Sequence, residues 1–225
     1  DGSLLDFFKK EKSITIGIEP TDSANEAKAK GHKIYKSYID SKTVKILNKK
    51  YPRIDIITFT NVFAHIEDLK KLVHNLKLLI SEETVLIIEN HYLGAVLDGN
   101  QFDTFYHEHP RTYSYNSFFH MARKLDLEAL EVEFPSRYGG NIRVFLGDTS
   151  IYGQQSKTDL ELLNLKEKSF FEKFSILNKN IANWELSKKA LINKLVKTHG
   201  PLRAKAFPGR AAILVKMIRF GMIML

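Results

Sequence analysis

The 225-residue chain contains no cysteine. Within these residues that excludes a disulfide framework, a thiol nucleophile and a thiolate-bound zinc. No apolar run reaches the ~18–20 positions a membrane-spanning helix requires, so a membrane partner is not expected and the cytoplasm is the expected compartment. Like charges are not massed either. No block of five or six acidic or basic residues occurs, and Lys70, Lys71 and Lys77 are soon followed by Glu82 and Glu83. The formal charge of +8 therefore reads as a solvated surface more than as a nucleic-acid footprint. An anionic small substrate is the other use for such a field. Proline is scarce at 6 residues, while 44% of the chain is hydrophobic and 11% aromatic, so the apolar surface suffices for a core and disorder is excluded. At roughly 100–200 residues per domain, the length fits one full domain and part of another.

The first 150 residues alternate between two periods. Residues 14–18 form a short β-rich run ending in Glu19 and Pro20. Asp22 or Ser23 caps a helix over 24–30 that Gly31 stops, and residues 33–38 read as a short strand. Asp40 and Ser41 cap a helix to about Lys50, closed by Pro52. Residues 54–60 are a continuous apolar strand. Residues 68–80 are helical, with Leu69, Leu72, Val73, Leu76, Leu79 and Ile80 on one face, and 84–89 are another buried-type strand. Strands spaced by helices predict a parallel sheet covered on both sides.

Residues 91–113 follow neither period and are rich in His, Tyr, Phe and Asp; stretches of this kind in compact domains are usually functional. A helix over 114–124, a strand over 127–134, a loop over 135–140 and a strand over 141–146 complete the unit. The short glycine-containing loop predicts that the last two strands pair antiparallel. Residues 159–199 read as one or two helices bearing a near-heptad stripe of Leu163, Phe170, Phe174, Leu177, Ile181, Trp184, Leu191 and Leu195. Packing on its own domain is favoured over a coiled coil between chains. Beyond a Pro208-Gly209 turn, residues 206–225 are apolar and helix-like.

Three places can carry chemistry. Asp1-Gly2-Ser3-Leu4-Leu5 is a small-residue turn entering a helix, where a ligand can approach the backbone. About 18 residues on, Glu19 ends a strand, a position where a carboxylate accepts hydrogen bonds from ribose hydroxyls. A dinucleotide fold gives the same spacing. Asn61 and His65 follow the strongest strand, at the crevice end of a doubly wound sheet. Tyr106-His107-Glu108-His109 is the densest titratable cluster, with Arg111 and Tyr113 beside it. A histidine next to a carboxylate suits a general base, and a tyrosine hydroxyl can donate to a developing oxyanion. His107 and His109, with His91 or His120 as a third ligand, would make a metal site, and a purely structural role is also open. Acid–base chemistry is favoured over both, and no metal site is expected.

Taken in order, these motifs resemble the S-adenosylmethionine-dependent sugar C-methyltransferases of deoxysugar biosynthesis. The matching pieces are Asp1-Gly2-Ser3-Leu4-Leu5, Gly17-Ile18-Glu19-Pro20, Asn61-Val62-Phe63-Ala64-His65, residues 101–109, and Gly139-Gly140-Asn141-Ile142-Arg143-Val144. A looser likeness surrounds Phe207-Pro208-Gly209-Arg210-Ala211. The resemblance implies an α/β fold. It has a class I methyltransferase, Rossmann-like sheet lacking its first strand, followed by a truncated helical or α/β C-terminal region. Residues 1–150 would be the methyltransferase domain and 151–225 the start of a C-methyltransferase lobe. Relatives carry zinc in a cysteine-rich N-terminal module, and zinc is expected only in such a module upstream of Asp1.

The substrate implied is a nucleotide-linked 4-keto-deoxysugar, methylated next to the ketone through an enolate. By motif match His109 is the base, Glu108 its neighbour, Tyr106 the enolate or substrate partner, and His65 lies near the reacting carbon. Asp1, Gly2, Glu19 and Asn61 would line the S-adenosylmethionine pocket. Arg111 and Arg143 would meet the diphosphate, with Arg203 and Arg210 as further candidates. His107 is given no role. A small-molecule substrate, no nucleic acid, and a monomer or homodimer are expected. An O- or N-methyltransferase of small metabolites, or a non-catalytic basic interaction module, remain the other readings.

Overall fold

The computed structural model describes residues 1–154, 156–203 and 210–218. It divides into two compact units, Asp1–Asp55 with Asp68–Thr84, and Ile56–Glu67 with Val85–Leu225.

The first unit holds α1 (Ser3–Lys10), β1 (Ile16–Ile18), α2 (Ser23–Ala29), β2 (Lys33–Tyr35), α3 (Ser41–Lys50) and α4 (Leu69–Lys77). β1 and β2 pair in parallel, with Gly17 opposite Ile34. The caps follow the side chains. The Asp40 carboxylate accepts the Thr43 N–H at 2.8 Å and Asp68 accepts that of Lys71 at 2.9 Å, each satisfying an amide that the first helical turn leaves unpaired. Val44, Leu47, Leu72 and Leu76 are buried from α3 and α4. Between these helices the buried Asn75 donates to the Ile39 carbonyl at 2.7 Å.

α1 starts at Gly2, whose φ is +75°. A Cβ there would meet the His32 ring at 2.9 Å, so both the turn and the packing require glycine. The His32 ring is itself buried, between the Thr15 hydroxyl at 2.8 Å and the Asp6 carboxylate at 3.0 Å.

The second unit holds β3 (Ile56–Thr60), β4 (Val85–His91), α5 (Leu93–Asp98), α6 (Tyr115–Lys124), β5 (Glu128–Glu133), β6 (Asn141–Gly147), α7 (Thr149–Tyr152), α8 (Lys157–Lys168), α9 (Phe170–His199) and α10 (Ala211–Ile218). Its four strands run in the order β3-β4-β6-β5. β3 is parallel to β4, and β6 is antiparallel to both neighbours. The expected α/β class and the antiparallel last strand of a class I methyltransferase sheet are thus present. Among the described residues the strands hydrogen-bond as a pair and a group of four, where the alternation alone predicts one sheet.

Leu86 and Ile88 of β4 and Ile142, Val144 and Leu146 of β6 are fully buried, each set spaced by two as one face of a strand demands. α5 lies within the stretch expected to be irregular. The cap residue Tyr92 makes no side-chain bond to it, and six residues are too few to display a helical period.

α8 and α9 meet at Ser169. From the predicted stripe, Phe170 and Leu177 are buried and Trp184 sets its ring edge-on to Phe102 at 5.1 Å, whereas Leu191 is exposed. The Pro208-Gly209 turn, and the predicted apolar run outside α10, lie beyond the described residues. Among the described residues no helix is long and apolar enough to cross a membrane.

One buried acid ties two helices together. Glu167 of α8 accepts the amides of Tyr115 at 2.7 Å and Asn116 at 2.9 Å, the first two donors of α6. Glu167→Ala orphans both amides. With charge-assisted bonds worth about 1.5–3 kcal/mol each, it is expected to cost about 2 kcal/mol or more in urea unfolding, and a loss below about 0.5 kcal/mol would refute that role.

Candidate active site

In the first unit, the Asp1 carboxylate accepts the Ser3 N–H at 2.8 Å and so closes the turn in which Gly2 sits. At the end of β1, Glu19 Oε1 accepts the Thr21 amide at 2.9 Å and the Thr21 hydroxyl at 2.7 Å. Those bonds fix the carboxylate at the strand end, and Oε2 makes no bond to a described residue.

In the second unit, β3 ends at Asn61, whose φ of +54° puts it in the left-handed region. That conformation turns the chain sharply into a 3-10 turn, Phe63–His65. Tyr113, its hydroxyl pushed up to about 12 by burial, donates to the Phe63 carbonyl at 3.0 Å. Arg111 braces the other side of the turn, donating to the carbonyls of Ile66 and of Glu67, the latter at 2.8 Å.

This turn brings His65 to the cluster that follows α5. His65 Nδ1 lies 2.8 Å from the Glu108 carbonyl. A carbonyl only accepts, so Nδ1 carries the proton and donates. The His65 and His109 rings meet edge to face at 4.8 Å, and those of Tyr106 and His109 lie 4.5 Å apart. The Tyr106 hydroxyl is 3.3 Å from His109 Nε2. Burial, followed by the neighbouring charge of His65, holds His109 below the usual histidine range. Burial, then the Glu108 carboxylate, pushes Tyr106 up. At neutral pH the pair is a neutral imidazole beside a protonated phenol. His107 is exposed, with Nε2 3.9 Å from the Glu108 carboxylate. Among the described residues no group of three or more His, Cys, Asp or Glu is arranged to hold a metal ion.

The depressed value of His109 has a direct test. Because the charged form is the disfavoured one, its proton leaves at lower pH than in a free histidine, whose value is 6.5. In an NMR titration the His109 ring is expected to have its midpoint below that, and His65→Phe, which removes the adjacent charge, is expected to raise it. A midpoint at or above the ordinary value would contradict the geometry.

A second polar group, unforeseen from the sequence, lies at the ends of β4 and β6. Glu89 is only 3% exposed. One of its oxygens takes Arg143 Nε at 2.9 Å and an Arg143 terminal nitrogen at 2.7 Å; the other accepts from Asn141 Nδ2 at 2.7 Å. Arg143 also donates to Glu133 at 2.6 Å. All three of its nitrogens are therefore on carboxylates. The expected diphosphate partners are thus both otherwise engaged: Arg143 on Glu89 and Glu133, and Arg111 on two carbonyls. Arg210 is placed differently, with one nitrogen on Asp103 at 2.8 Å and a buried Nε without a partner. The same motif supplies Gly140, whose φ is +120° and where a Cβ would lie 2.5 Å from that of Ala95. An acid inside the apolar run of β4 was the signal for Glu89.

The family model described as "Methyltransferase domain" matches residues 1–132, more than half of the chain. The chain belongs to the methyltransferase-domain family. Among curated proteins, the chain is 24% identical over 145 residues to the C-methyltransferase NovU of Streptomyces niveus. The match covers 64% of the chain and 34% of NovU, so the chain spans about a third of that relative. Among solved structures, a SAM-dependent methyltransferase from Archaeoglobus fulgidus aligns over 64% of this chain and 80% of its own, with a TM-score of 0.49 and 13% identity. A methyltransferase domain, as the motifs led one to expect, is what the family model matches.

Proposed function

We propose that this methyltransferase moves a methyl group from S-adenosylmethionine to a carbon next to a ketone, in a nucleotide-linked 4-keto-deoxysugar. The observation that carries the reading is the His109–Tyr106 pair: a half-buried imidazole kept neutral, with a protonated phenol at 3.3 Å. A transfer to oxygen or nitrogen needs no strong base for a C–H bond; a transfer to carbon does.

In this reading His109 Nε2 takes the proton from the carbon next to the ketone. The C–H electron pair becomes the enolate, whose oxygen Tyr106 stabilises by donating to it. The enolate carbon then forms the new carbon–carbon bond. His65, its Nδ1 held by the Glu108 carbonyl, flanks the reacting carbon, and Glu108 sets the charge around Tyr106. S-adenosylmethionine supplies the electrophilic methyl of a sulfonium, whose sulfur keeps the electrons of the broken bond. The residues present fit that cofactor: Glu19 keeps one carboxylate oxygen for ribose hydroxyls. Asp1 closes the Gly2 turn, and Asn61 serves the cofactor from the end of β3. Because Arg111 and Arg143 are engaged by the protein, Arg210 is the better partner for the anionic end of the substrate. Residues 1–150 would form the transferase domain, and 151–225 a separate C-terminal part.

The full-length protein, given 13C-methyl S-adenosylmethionine and a 4-keto sugar nucleotide, is expected to yield a product whose labelled methyl carbon couples to a sugar carbon in NMR. A label found on oxygen or nitrogen would overturn the reading.

A further inference from the structure

Asn61 is gripped at two points. Its backbone N–H donates to the Glu89 carbonyl at 2.7 Å, and its side-chain Oδ1 accepts from Asn141 Nδ2 at 3.3 Å. The same Asn141 nitrogen donates to Glu89 Oε1 at 2.7 Å. Glu89 and Asn141 are 3% and 1% exposed, and the Arg143 guanidinium fixes the carboxylate from its other oxygen. Strand register explains the meeting. Glu89 faces Thr60, the last residue of β3, on one side and Arg143 on the other, while Asn141 begins β6 opposite His91.

The chemistry of this chain is directional. A carboxylate only accepts, so it compels Asn141 to present its nitrogen inward. That nitrogen is in turn a donor and selects the oxygen of the Asn61 amide. Asn61 Nδ2 is thereby turned away, half-exposed and without a bond to a described residue. Two further facts belong to the same arrangement. Asn61 is held in the left-handed conformation, which asparagine tolerates better than most side chains. Asn141 Oδ1 is left buried without a partner, and such an atom is tolerated where the other end of the amide is fixed by something stronger.

We propose that Glu89 and Asn141 are positioning residues that orient the Asn61 amide, so that it meets the bound cofactor as a hydrogen-bond donor to an acceptor oxygen. The proposal rests on the reading of S-adenosylmethionine as cofactor and deepens it by assigning the direction of one contact and the residues that set it.

The test measures calorimetric affinity for S-adenosylhomocysteine and thermal stability side by side in the full-length protein. Asn61→Asp keeps an oxygen for Asn141 and replaces the outward donor by an acceptor. It is expected to fold as the parent does and to bind at least tenfold more weakly. In the pair Glu89→Gln with Asn141→Asp, the amide and carboxylate exchange places. Position 89 then donates to position 141, which can satisfy Asn61 only through its nitrogen. The pair is expected to regain melting temperature over Glu89→Gln alone while its affinity stays at least tenfold down. A purely structural role predicts that affinity returns with stability, and that result would overturn the proposal, as would parental affinity in Asn61→Asp. If the folded parent itself binds no S-adenosylhomocysteine, the cofactor reading fails and the proposal falls with it. Parental binding with indifferent variants sinks the proposal alone.

Discussion

Replacing His109 by alanine is expected to lower kcat by roughly 10²–10⁴-fold, the usual contribution of a positioned general base. Exchange of the proton next to the ketone, followed in D2O without methyl donor, is expected to fall with it. The choice of His109 over His65 follows from their surroundings. His65 is exposed and donates through Nδ1 to the Glu108 carbonyl, whereas His109 is partly buried, depressed in pKa and faces a hydroxyl. Tyr106→Phe keeps the ring contact at 4.5 Å and removes only the hydroxyl, so its loss is expected to be smaller, near the ~10-fold of one hydrogen bond. His109→Ala that exchanges the proton as fast as the parent would remove His109 from the mechanism, whatever the fate of the methyl group.

The largest stability effect is expected at Arg143. Its removal leaves the buried Glu89 carboxylate with Asn141 as its hydrogen-bond donor and Arg137 at 3.9 Å as the more distant cation. Stripping the closest partner from a buried ion pair costs about 3–5 kcal/mol, because the remaining charge has lost both water and its bidentate counter-ion. Arg143→Met is expected to lose that much in urea unfolding. The signal can be the fluorescence of Trp184, the one tryptophan of the chain, which packs on Phe102 in the same unit. Glu89→Met together with Arg143→Met removes both charges and is expected to recover part of the loss. A destabilisation below about 1 kcal/mol for Arg143→Met would mean that water, not the guanidinium, solvates Glu89.

What could be read from the sequence, and what could not, divides along the range of the interactions. The caps at Asp40 and Asp68 and the hydrophobic face of α4 are local and appear where spacing puts them. So does the antiparallel pairing of β5 with β6, which a short loop dictates. The cluster of Tyr106, Glu108 and His109 was visible because its members are neighbours in sequence. Glu89 was not: its partners Asn141 and Arg143 lie more than fifty positions away, and an acid in an apolar strand carries no label saying what will neutralise it. Glu167 escaped for the same reason, since it caps a helix far upstream. α5 was hidden by its brevity. The partners of Arg111 and Arg143 within the protein were hidden too, because composition counts charge but does not show what it pairs with.

The insertion of β6 between β4 and β5 also fixes an order of events during synthesis. One edge of β4 can take β3, which leaves the ribosome earlier. The other edge has no partner until residues 141–147 emerge, even though β5 is already made. Through that interval the unpaired backbone of β4, a strand that carries the apolar Leu86 and Ile88, is an open strand edge, the feature by which unfinished chains add to one another. The nascent protein is thus most in need of a chaperone after β5 and before β6, and a translational pause placed there would do it the most harm.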